Sequence, residues 1–416
     1  MNLLIINIKK IVQVETQPVS FRAGYEMQRL DTLDNAYIFV SGGRIKGFGS
    51  MDAFTDSNPD FGCKYDTVDA RGQMLFPAFC DSHTHIVYAG SREIEYIDKI
   101  RGLSYEEIAK RGGGILHSAE RLHSASEDEL YESACLRLHE MAMYGTGAVE
   151  IKSGYGLTTE DELKMLRVIR RLKETSPLEI KATFLGAHAV PLQYQKRKKM
   201  YIDLIINEMI PMVASEDLAD FIDVFCDKGF FTTSETERIL MQGLKYGLRP
   251  KIHANELACS GGIQIGVKYG ALSVDHLEYT KEAEMLALLG TETMPTILPG
   301  AAFFLNMPLA PARQMIDYGL PVAMASDYNP GSSPSGNMQM ILSMACIKYR
   351  LLPAEAINAV TLNTAYAMNL NEDCGSIAVG KKAHFFLTEE IPTVEFMPYA
   401  YGSNKIKKMF LHGQII

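Results

Sequence analysis

Five of the ten histidines in this 416-residue chain end short apolar runs, where a strand would end. His83 and His85 are separated by one threonine and close the run at residues 75–85. Side chains two apart on a strand point to the same face, so both imidazoles can enter one site. His253 and Asp327 end two later runs. Together they offer three nitrogen ligands and one oxygen, which suits zinc and is acceptable for iron, manganese or cobalt.

This set of four residues also has a structural alternative. His83 and His85 could be hydrogen-bonded core histidines, and His253 with Asp327 could form a buried ion pair. An HxH tripeptide alone is weak evidence, but a third histidine and a carboxylate at other strand ends favour a metal. A metal held there would lower the pKa of a bound water towards about 7, so we expect a hydrolase.

Three further polar residues end runs of the same kind. His276 could be a fifth ligand, a base that orients water, or a partner of Asp275. His188 could be structural or, like Glu256, could return a proton to a leaving group. Asp327 or His276 would take the proton of the attacking water. Sequence alone leaves the acid and the base unassigned, because the assignment needs distances.

The loops after these runs carry candidates for substrate contacts. Arg92, in YAGSRE, could clamp a carboxylate with two parallel hydrogen bonds or form a surface salt bridge. Tyr155 lies between glycines in KSGYG, a turn that can present its hydroxyl. The turn-rich segment DYNPGSSPSGN could offer amide, hydroxyl and backbone donors from Asn329, Gly331 and Ser332.

The elements that must position these residues alternate regularly. Eight apolar runs, separated by amphipathic helical patterns, occur between residues 75 and 327. Ser126-Glu-Asp-Glu129 and Thr159-Glu-Asp-Glu162 each predict a capping box that opens a helix. Eight such units over about 250 residues predict a closed (β/α)8 TIM barrel with its active groups at the C-terminal ends of the strands. A doubly wound open sheet is the alternative, but no Gly-rich phosphate loop supports it.

Both ends of the chain have strand-like patterns, with Gly42-Gly43 marking a hairpin turn. We therefore predict an α/β protein in which a small β-sandwich domain is formed by the N- and C-terminal segments. The predicted domains are residues 1–75 with 376–416 for the β-sandwich and residues 76–375 for the barrel.

The composition argues against nucleic-acid binding, membrane insertion and export. A formal charge of −9 and a pI near 5.7 argue against a broad nucleic-acid-binding surface. The sequence has no apolar stretch near the roughly 20 residues of a membrane helix, and its opening segment reads as a strand and not as a signal peptide. Seven cysteines without a CxxC pair suggest free thiols, so a cytoplasmic protein is expected.

The motifs around these residues resemble the amidohydrolase superfamily. Its pattern of HxH on the first strand, histidines on the fifth and sixth and an aspartate on the eighth is matched by His83, His85, His253, His276 and Asp327. Within it, the chain resembles, over essentially its whole length, the branch that opens the imidazolone ring in histidine degradation. The most specific motifs are DSHTHIVYAGSRE, GLSYEEIAKRGGGI, EIKSGYGL, FLGAHAVP, KIHANE, DHL and ASDYNPGSSPSGN.

The resemblance implies hydrolysis of the cyclic amide C–N bond of 4-imidazolone-5-propanoate to N-formimidoyl-L-glutamate. It implies one zinc or iron ion per chain, held by His83, His85, His253 and Asp327, and the superfamily suggests a homodimer. Arg92 would bind the propionate by charge. The substrate contacts that the resemblance implies are Arg92, Tyr105, Tyr155, His188, Glu256, Asn329, Gly331 and Ser332.

The sequence departs from the family pattern at a few positions. Pro77-Ala78 stands where Pro-Gly is usual, and HANE with Asn255 stands where HADE is usual. Neither change touches an expected ligand. The fourth run, FIDVFCD, lacks a lysine, which disfavours a two-metal centre bridged by a carbamylated lysine.

Two other functions compete with this one. An amidohydrolase-type deaminase of guanine or cytosine would share the metal ligands, but a neutral base would not need Arg92 and Tyr155. A non-catalytic barrel scaffold is the other alternative. It is disfavoured because a buried cluster of histidines and carboxylates without a metal is costly.

Overall fold

The computed structural model describes residues 2–54, 64–103, 107 and 113–416. Its centre is a sheet of eight parallel strands that follow one another in chain order. The strands are β6 (Phe79–Thr84), β7 (Thr146–Lys152), β8 (Glu179–Ala187), β9 (Phe221–Cys226), β10 (Arg249–Ala254), β11 (Ser273–His276), β12 (Met294–Ile297) and β13 (Ala323–Met324). Each of the eight apolar runs contains one of them.

The parallel sheet closes into a barrel. A parallel bridge joins Thr84, at the end of β6, to Tyr328, which follows β13. The Tyr328 carbonyl also accepts a hydrogen bond of 2.9 Å from the His85 amide. This closure brings His85 and Asp327 to the same rim of the barrel, and it confirms the predicted fold class.

Helices lie outside the strands because each strand alternates between the two sides of the barrel wall. In β7, Val149 and Ile151 belong to the apolar layer shared with the helices, whereas Glu150 and Lys152 occupy the alternate positions. The helices are α1 (Glu93–Ile100), α2 (Ile115–Ser124), α3 (Glu127–Met143), α4 (Thr159–Thr175), α5 (Lys198–Leu204), α6 (Ile210–Ser215), α7 (Thr233–Lys245), α8 (Gly262–Lys268), α9 (Glu282–Leu288), α10 (Pro299–Phe304), α11 (Ala312–Asp317), α12 (Met338–Tyr349), α13 (Pro353–Val360), α14 (Leu362–Ala367) and α15 (Phe396–Tyr399).

The two predicted capping boxes have different outcomes. Ser126 caps α3 as predicted, with both reciprocal hydrogen bonds to Glu129 present. The prediction for Thr159 is wrong: the N-cap of α4 is Thr158, whose hydroxyl accepts from the Asp161 amide. Glu162 is therefore not needed at the helix end, and its carboxylate turns towards the preceding loop.

The two ends of the chain meet in one mixed sheet of eight strands, with β5 joining β1 to β14. Gly42 and Gly43, with φ of 60° and 74°, form the predicted two-residue hairpin turn between β2 and β3. A bridge from Arg44 to Lys382 brings β3 against the segment before β14, so the sheet curls around its own apolar core. Its strands are β1 (Asn2–Val12), β2 (Thr32–Ser41), β3 (Arg44–Ser50), β4 (Asp66–Asp69), β5 (Gln73–Pro77), β14 (Phe385–Glu390), β15 (Ile406–Leu411) and β16 (Gln414–Ile415).

The residue boundaries predicted for the two domains stay a prediction. Among the described residues, no helix has both the length and the apolar character needed to cross a bilayer.

Candidate active site

Three histidine rings meet at the C-terminal end of the barrel. His83 and His85 come from the end of β6, and His253 comes from β10 on the other side of the barrel mouth. One ring nitrogen from each lies within 4.8 Å of the other two, and all three residues are buried. The Nε2 atoms of His83 and His85 are 3.4 Å apart. The HxH spacing therefore directs both imidazoles into one site, as strand geometry predicts.

Asp327 adds a carboxylate oxygen to this cluster. Its Oδ1 atom lies 3.6 Å from His83 Nε2 and 3.7 Å from His85 Nε2. Two atoms bound at about 2.1 Å to one tetrahedral ion are themselves about 3.4 Å apart. The separations and the donor set of three imidazoles and a carboxylate thus fit a single zinc or iron ion.

The far sides of two of these rings are held by carboxylates. His83 Nδ1 lies 2.7 Å from Asp275 Oδ2, and His253 Nδ1 lies 3.0 Å from Asp223 Oδ2. Burial lowers the pKa of His83 and of His85 well below the usual value, so both rings are neutral at pH 7. A neutral imidazole oriented through Nδ1 presents the lone pair of Nε2, the form that binds a metal. The alternative of an ion pair between His253 and Asp327 is wrong, because the carboxylate beside His253 is Asp223.

Below the histidines lies a layer of buried charges that sequence reasoning missed. Lys152 Nζ donates to Glu150 Oε1 at 2.6 Å and to Asp223 Oδ2 at 2.8 Å, and lies 3.7 Å from Asp275 Oδ2. Lys251 Nζ donates to the other oxygen of Glu150. Lys152 therefore compensates the two carboxylates that orient His83 and His253, and Lys251 compensates Glu150. The sequence contained a signal for this layer, because Glu150, Lys152 and Lys251 are charged residues inside otherwise apolar runs. The alternation of side chains along a strand places them on the same face of the sheet.

His276 lies beside the ligand cluster and faces two glutamates. Its ring centre is 5.2 Å from that of His253, and its Nε2 is 3.6 Å from Glu256 Oε2 while its Nδ1 is 3.8 Å from Glu278 Oε2. Although burial lowers it, the two carboxylates raise the pKa of His276 to about 10. Burial raises the pKa of Glu256 to about 7. The predicted alternative that His276 pairs with Asp275 is wrong, because Asp275 holds His83.

Several residues at the barrel mouth adopt left-handed backbone conformations that non-glycine residues rarely use. The φ angles are 85° at His276, 53° at Asp327 and 56° at Asn255. Such conformations cost of order 1–3 kcal/mol each and concentrate at functional sites. These conformations cluster at the ends of three barrel strands. This indicates that the backbone there is held in an unfavourable conformation in order to place the side chains.

Tyr155 and His188 lie together beside His85. The His188 ring stacks on His85 at 5.2 Å, and Tyr155 is 5.5 Å from His188 and 5.8 Å from His85. His188 Nδ1 donates to the Gly154 carbonyl at 3.0 Å, which leaves Nε2 as an acceptor. Burial lowers the pKa of His188 to about 3, so the ring is neutral.

The loop that carries Tyr155 is held by Glu162, a residue the sequence had assigned to a helix cap. Its carboxylate accepts hydrogen bonds from the amides of Gly154, Gly156 and Leu157 at 3.1, 2.8 and 2.9 Å. A buried carboxylate with three backbone donors is a strong, charge-assisted anchor. Glu162 thus fixes the backbone on either side of Tyr155.

Arg92 is buried and not part of a surface salt bridge. Only 7 % of its side chain is exposed, and its Nε and Nη2 donate to Glu95 Oε2 at 2.9 and 2.5 Å. Glu95 also accepts from the Gly114 amide at 3.1 Å. The guanidinium packs directly against Gly331, since a Cβ built there would be 2.7 Å from Cζ of Arg92. Lys99 donates to the Gly331 carbonyl at 2.6 Å, which places a second cation beside this loop.

The loop after β13 holds the carboxylate of Asp327 in place. Ser332 Oγ donates to Asp327 Oδ2 at 3.0 Å, which leaves Oδ1 facing the histidines. Asn329 Nδ2 donates to the Asp327 carbonyl at 2.7 Å, and its Oδ1 accepts from the amides of Gly331 and Ser332 at 2.7 and 2.8 Å. These polar groups organise the loop in the absence of substrate. Tyr105, the remaining predicted contact, lies outside the described residues.

The sequence of this chain is similar to those of known proteins over its whole length. Residues 252–416 match the model of the amidohydrolase family. The chain is 50% identical to the imidazolonepropionase of Christiangramia forsetii over 416 residues, which is all of both chains. It is 52% identical to that of Flavobacterium johnsoniae over 413 residues, 99% of each chain. The chain belongs to the imidazolonepropionase family. As a family member it is a hydrolase of histidine degradation within the metal-dependent amidohydrolases.

Solved structures with low sequence identity share the fold of this imidazolonepropionase-family chain. A triazine hydrolase variant has a TM-score of 0.76 at 15% identity, covering 100% of this chain and 94% of its own. The guanine deaminase of E. coli has a TM-score of 0.75 at 13% identity, covering 100% and 99%. At such identities the likeness shows the barrel with its terminal sheet and nothing about the substrate.

Proposed function

We propose that the barrel mouth hydrolyses 4-imidazolone-5-propanoate to N-formimidoyl-L-glutamate. The observation that carries the proposal is the convergence of His83, His85, His253 and Asp327 at one point, with the buried guanidinium of Arg92 packed against the loop that holds Asp327. The three histidines and the aspartate fit a metal-assisted hydrolysis, and the arginine fits a substrate with a carboxylate tail. A neutral purine or pyrimidine would have no use for the arginine.

The substrate would bind with its propionate towards Arg92 and its ring towards the histidines. Arg92 is held in place by Glu95, and a buried guanidinium is suited to a charge-assisted pair with a carboxylate. Tyr155 and His188 flank His85, so they would contact the ring edge on that side. The site around the propionate of the substrate would be lined by Asn329, Gly331 and Ser332. Tyr105 is a further candidate for a contact with this carboxylate.

One zinc or iron ion per chain would be held by His83, His85, His253 and Asp327. When bound, such an ion makes a water nucleophilic near neutral pH and polarises a carbonyl oxygen. The protein groups hold the ligands and manage protons. Asp275 and Asp223 keep Nε2 of His83 and His253 directed at the site, and Ser332 keeps one oxygen of Asp327 directed there.

The reaction joins the oxygen of water to the ring carbonyl carbon and breaks the adjacent ring C–N bond. Of the two candidates to take the water proton, Asp327 and His276, we favour Asp327, because a pKa of about 10 keeps His276 protonated at neutral pH. Of the two candidates to supply a proton to the leaving ring nitrogen, Glu256 and His188, the neutral His188 presents Nε2 as an acceptor and has no proton to donate there. We favour Glu256 for the second role because burial raises its pKa to about 7, where a carboxyl can both donate and accept a proton.

The test is turnover by purified, metal-analysed protein of freshly generated 4-imidazolone-5-propanoate, followed by the loss of its ultraviolet absorbance. We expect hydrolysis with one metal ion per chain at the barrel mouth. We expect Asp327→Ala to abolish it, because the substitution removes a ligand and a proton acceptor. Ammonia release from guanine or cytosine without imidazolone turnover would instead establish a deaminase.

We also propose a cytoplasmic location and a homodimer. Six cysteines among the described residues are free thiols, which are typical of a reducing compartment: Cys80, Cys135, Cys226, Cys259, Cys346 and Cys374. Light scattering of the purified protein tests the homodimer. A particle with the mass of one 46.3 kDa chain would contradict it.

A further inference from the structure

A second cluster of metal-binding side chains lies at the opposite end of the barrel. Glu179 is the first residue of β8, so it lies at the N-terminal end of a strand whose C-terminal end faces the active site. His384 immediately precedes β14, and His412 lies in the turn between β15 and β16. The cluster therefore joins the barrel to the terminal sheet.

The three ligand atoms have the spacing of a metal site. Glu179 Oε1 lies 3.4 Å from His384 Nε2 and 3.5 Å from His412 Nε2, and all three atoms lie within 4.8 Å of one another. Atoms that share a tetrahedral ion at about 2.1 Å are about 3.4 Å apart. The usual N–H···O hydrogen bond is shorter, about 2.7–3.2 Å. His384 Nε2 donates a long hydrogen bond to Glu179 Oε1, and both separations also match those of ligand atoms that share an ion.

A neighbouring lysine leaves one oxygen of Glu179 directed at the two imidazoles. Lys382 pairs with the other oxygen of Glu179, with Nζ 2.8 Å from Oε2, and also lies 3.6 Å from Asp373 Oδ2. Oε1 therefore stays directed at the two imidazoles, and the nearby lysine charge is shared with a second carboxylate.

Access to the cluster is open on one side. The side chain of His412 is 42% exposed, that of Glu179 is 18% exposed and that of His384 is 3% exposed. A bound ion could therefore complete its coordination with water on the side of His412. Two imidazoles and a carboxylate with an open position are typical of zinc in proteins.

We propose that Glu179, His384 and His412 bind a second divalent transition-metal ion, Zn2+, which links the terminal sheet to the N-terminal face of the barrel. This ion is structural and takes no part in the reaction at the barrel mouth. Because it binds only when the two parts of the chain are in place, it stabilises the folded protein.

The experiment counts zinc on the holoprotein by equilibrium dialysis and metal analysis. Wild type should bind two Zn2+ per chain. His412→Asn and Glu179→Gln should each bind one, with the affinity for the second ion reduced at least tenfold. Asparagine is chosen because it tolerates the left-handed backbone of His412, whose φ is 50°. His139→Asn, at an exposed histidine of α3, is the matched control and should keep two ions.

Two further measurements separate this site from the catalytic one. Added Zn2+ should raise the melting temperature of the holoprotein but not that of His412→Asn, while imidazolone turnover stays the same in both. The double variant His83→Ala/His85→Ala should lose the catalytic ion and keep the other. The proposal is overturned if saturated wild type holds a single zinc, if both cluster variants keep the second ion, or if His139→Asn loses it.

Discussion

The Arg92 guanidinium lies where the side chain of residue 331 would be, so the loop that holds Asp327 can approach it only because Gly331 has no Cβ. Glu95 fixes the opposite side of the guanidinium through two hydrogen bonds. The position of this cation is thus set by a glycine on one loop and a carboxylate on helix α1. Arg92 and Gly331 are far apart in the sequence, and nothing in their spacing predicts the contact.

Gly331→Ala should weaken substrate binding. The added methyl group must displace the guanidinium, and the loss of a charge-assisted contact to the propionate should raise KM about 10- to 100-fold with a smaller change in kcat. Steady-state kinetics on 4-imidazolone-5-propanoate measures this. Gly47→Ala, at a position in β3 with open space around it, is the control and should behave as wild type. An unchanged KM for Gly331→Ala would remove Arg92 from the carboxylate site.

Asp275→Asn should weaken the catalytic metal site without removing a ligand. His83 Nδ1 loses its anionic partner at 2.7 Å, so the ring is held less firmly and its Nε2 becomes less basic. Loss of such a partner typically costs about 10- to 100-fold in metal affinity. Metal retained after dialysis against graded chelator measures the change. Asp128→Asn, which alters an exposed pair with Arg171, should retain metal like wild type. Equal retention by Asp275→Asn would contradict the orienting role.

His276→Asn should keep the metal and lose most of kcat. The histidine is not one of the three clustered imidazoles, but it lies beside them and faces Glu256. Loss of a positioned acid–base group typically lowers the rate about 10²- to 10⁴-fold. Asparagine accommodates the φ of 85° at this position. Metal content and kcat are measured on the same preparation. A variant that lost its metal would identify His276 as a ligand, and one with full activity would exclude it from catalysis.

Glu179→Gln should destabilise the metal-free protein in a pH-dependent way. Although burial raises it, His384 and Lys382 lower the pKa of Glu179 to about 2, below its ordinary value of 4.5. Between those values the unfolded chain binds more protons at this residue, so its contribution to stability is complete above about pH 4.5 and lost as the pH falls towards 2. The shift corresponds to on the order of 3 kcal/mol at neutral pH.

Melting temperatures in the presence of chelator test this dependence. We expect Glu179→Gln to melt a few degrees below wild type at pH 7 and the difference to shrink markedly at pH 3. Glu389→Gln removes an exposed carboxylate that pairs with Lys407, and it should show little difference at either pH. A difference for Glu179→Gln that is constant between pH 7 and pH 3 would show that the carboxylate is not the cause.

Local periodicity and chain order are enough to predict the barrel, the terminal β domain and the proposed ligand quartet from the sequence. Alternation along a strand puts His83 and His85 on one face, and eight strand–helix repeats bring the strand ends to one rim. Which side chains of different elements pair with one another depends on the tertiary structure. Asp275 with His83, Glu162 with the Tyr155 loop and Glu179 with His412 join residues from different elements. Spacing along the chain carries no information about such distances, since they depend on register, packing and the direction of each side chain.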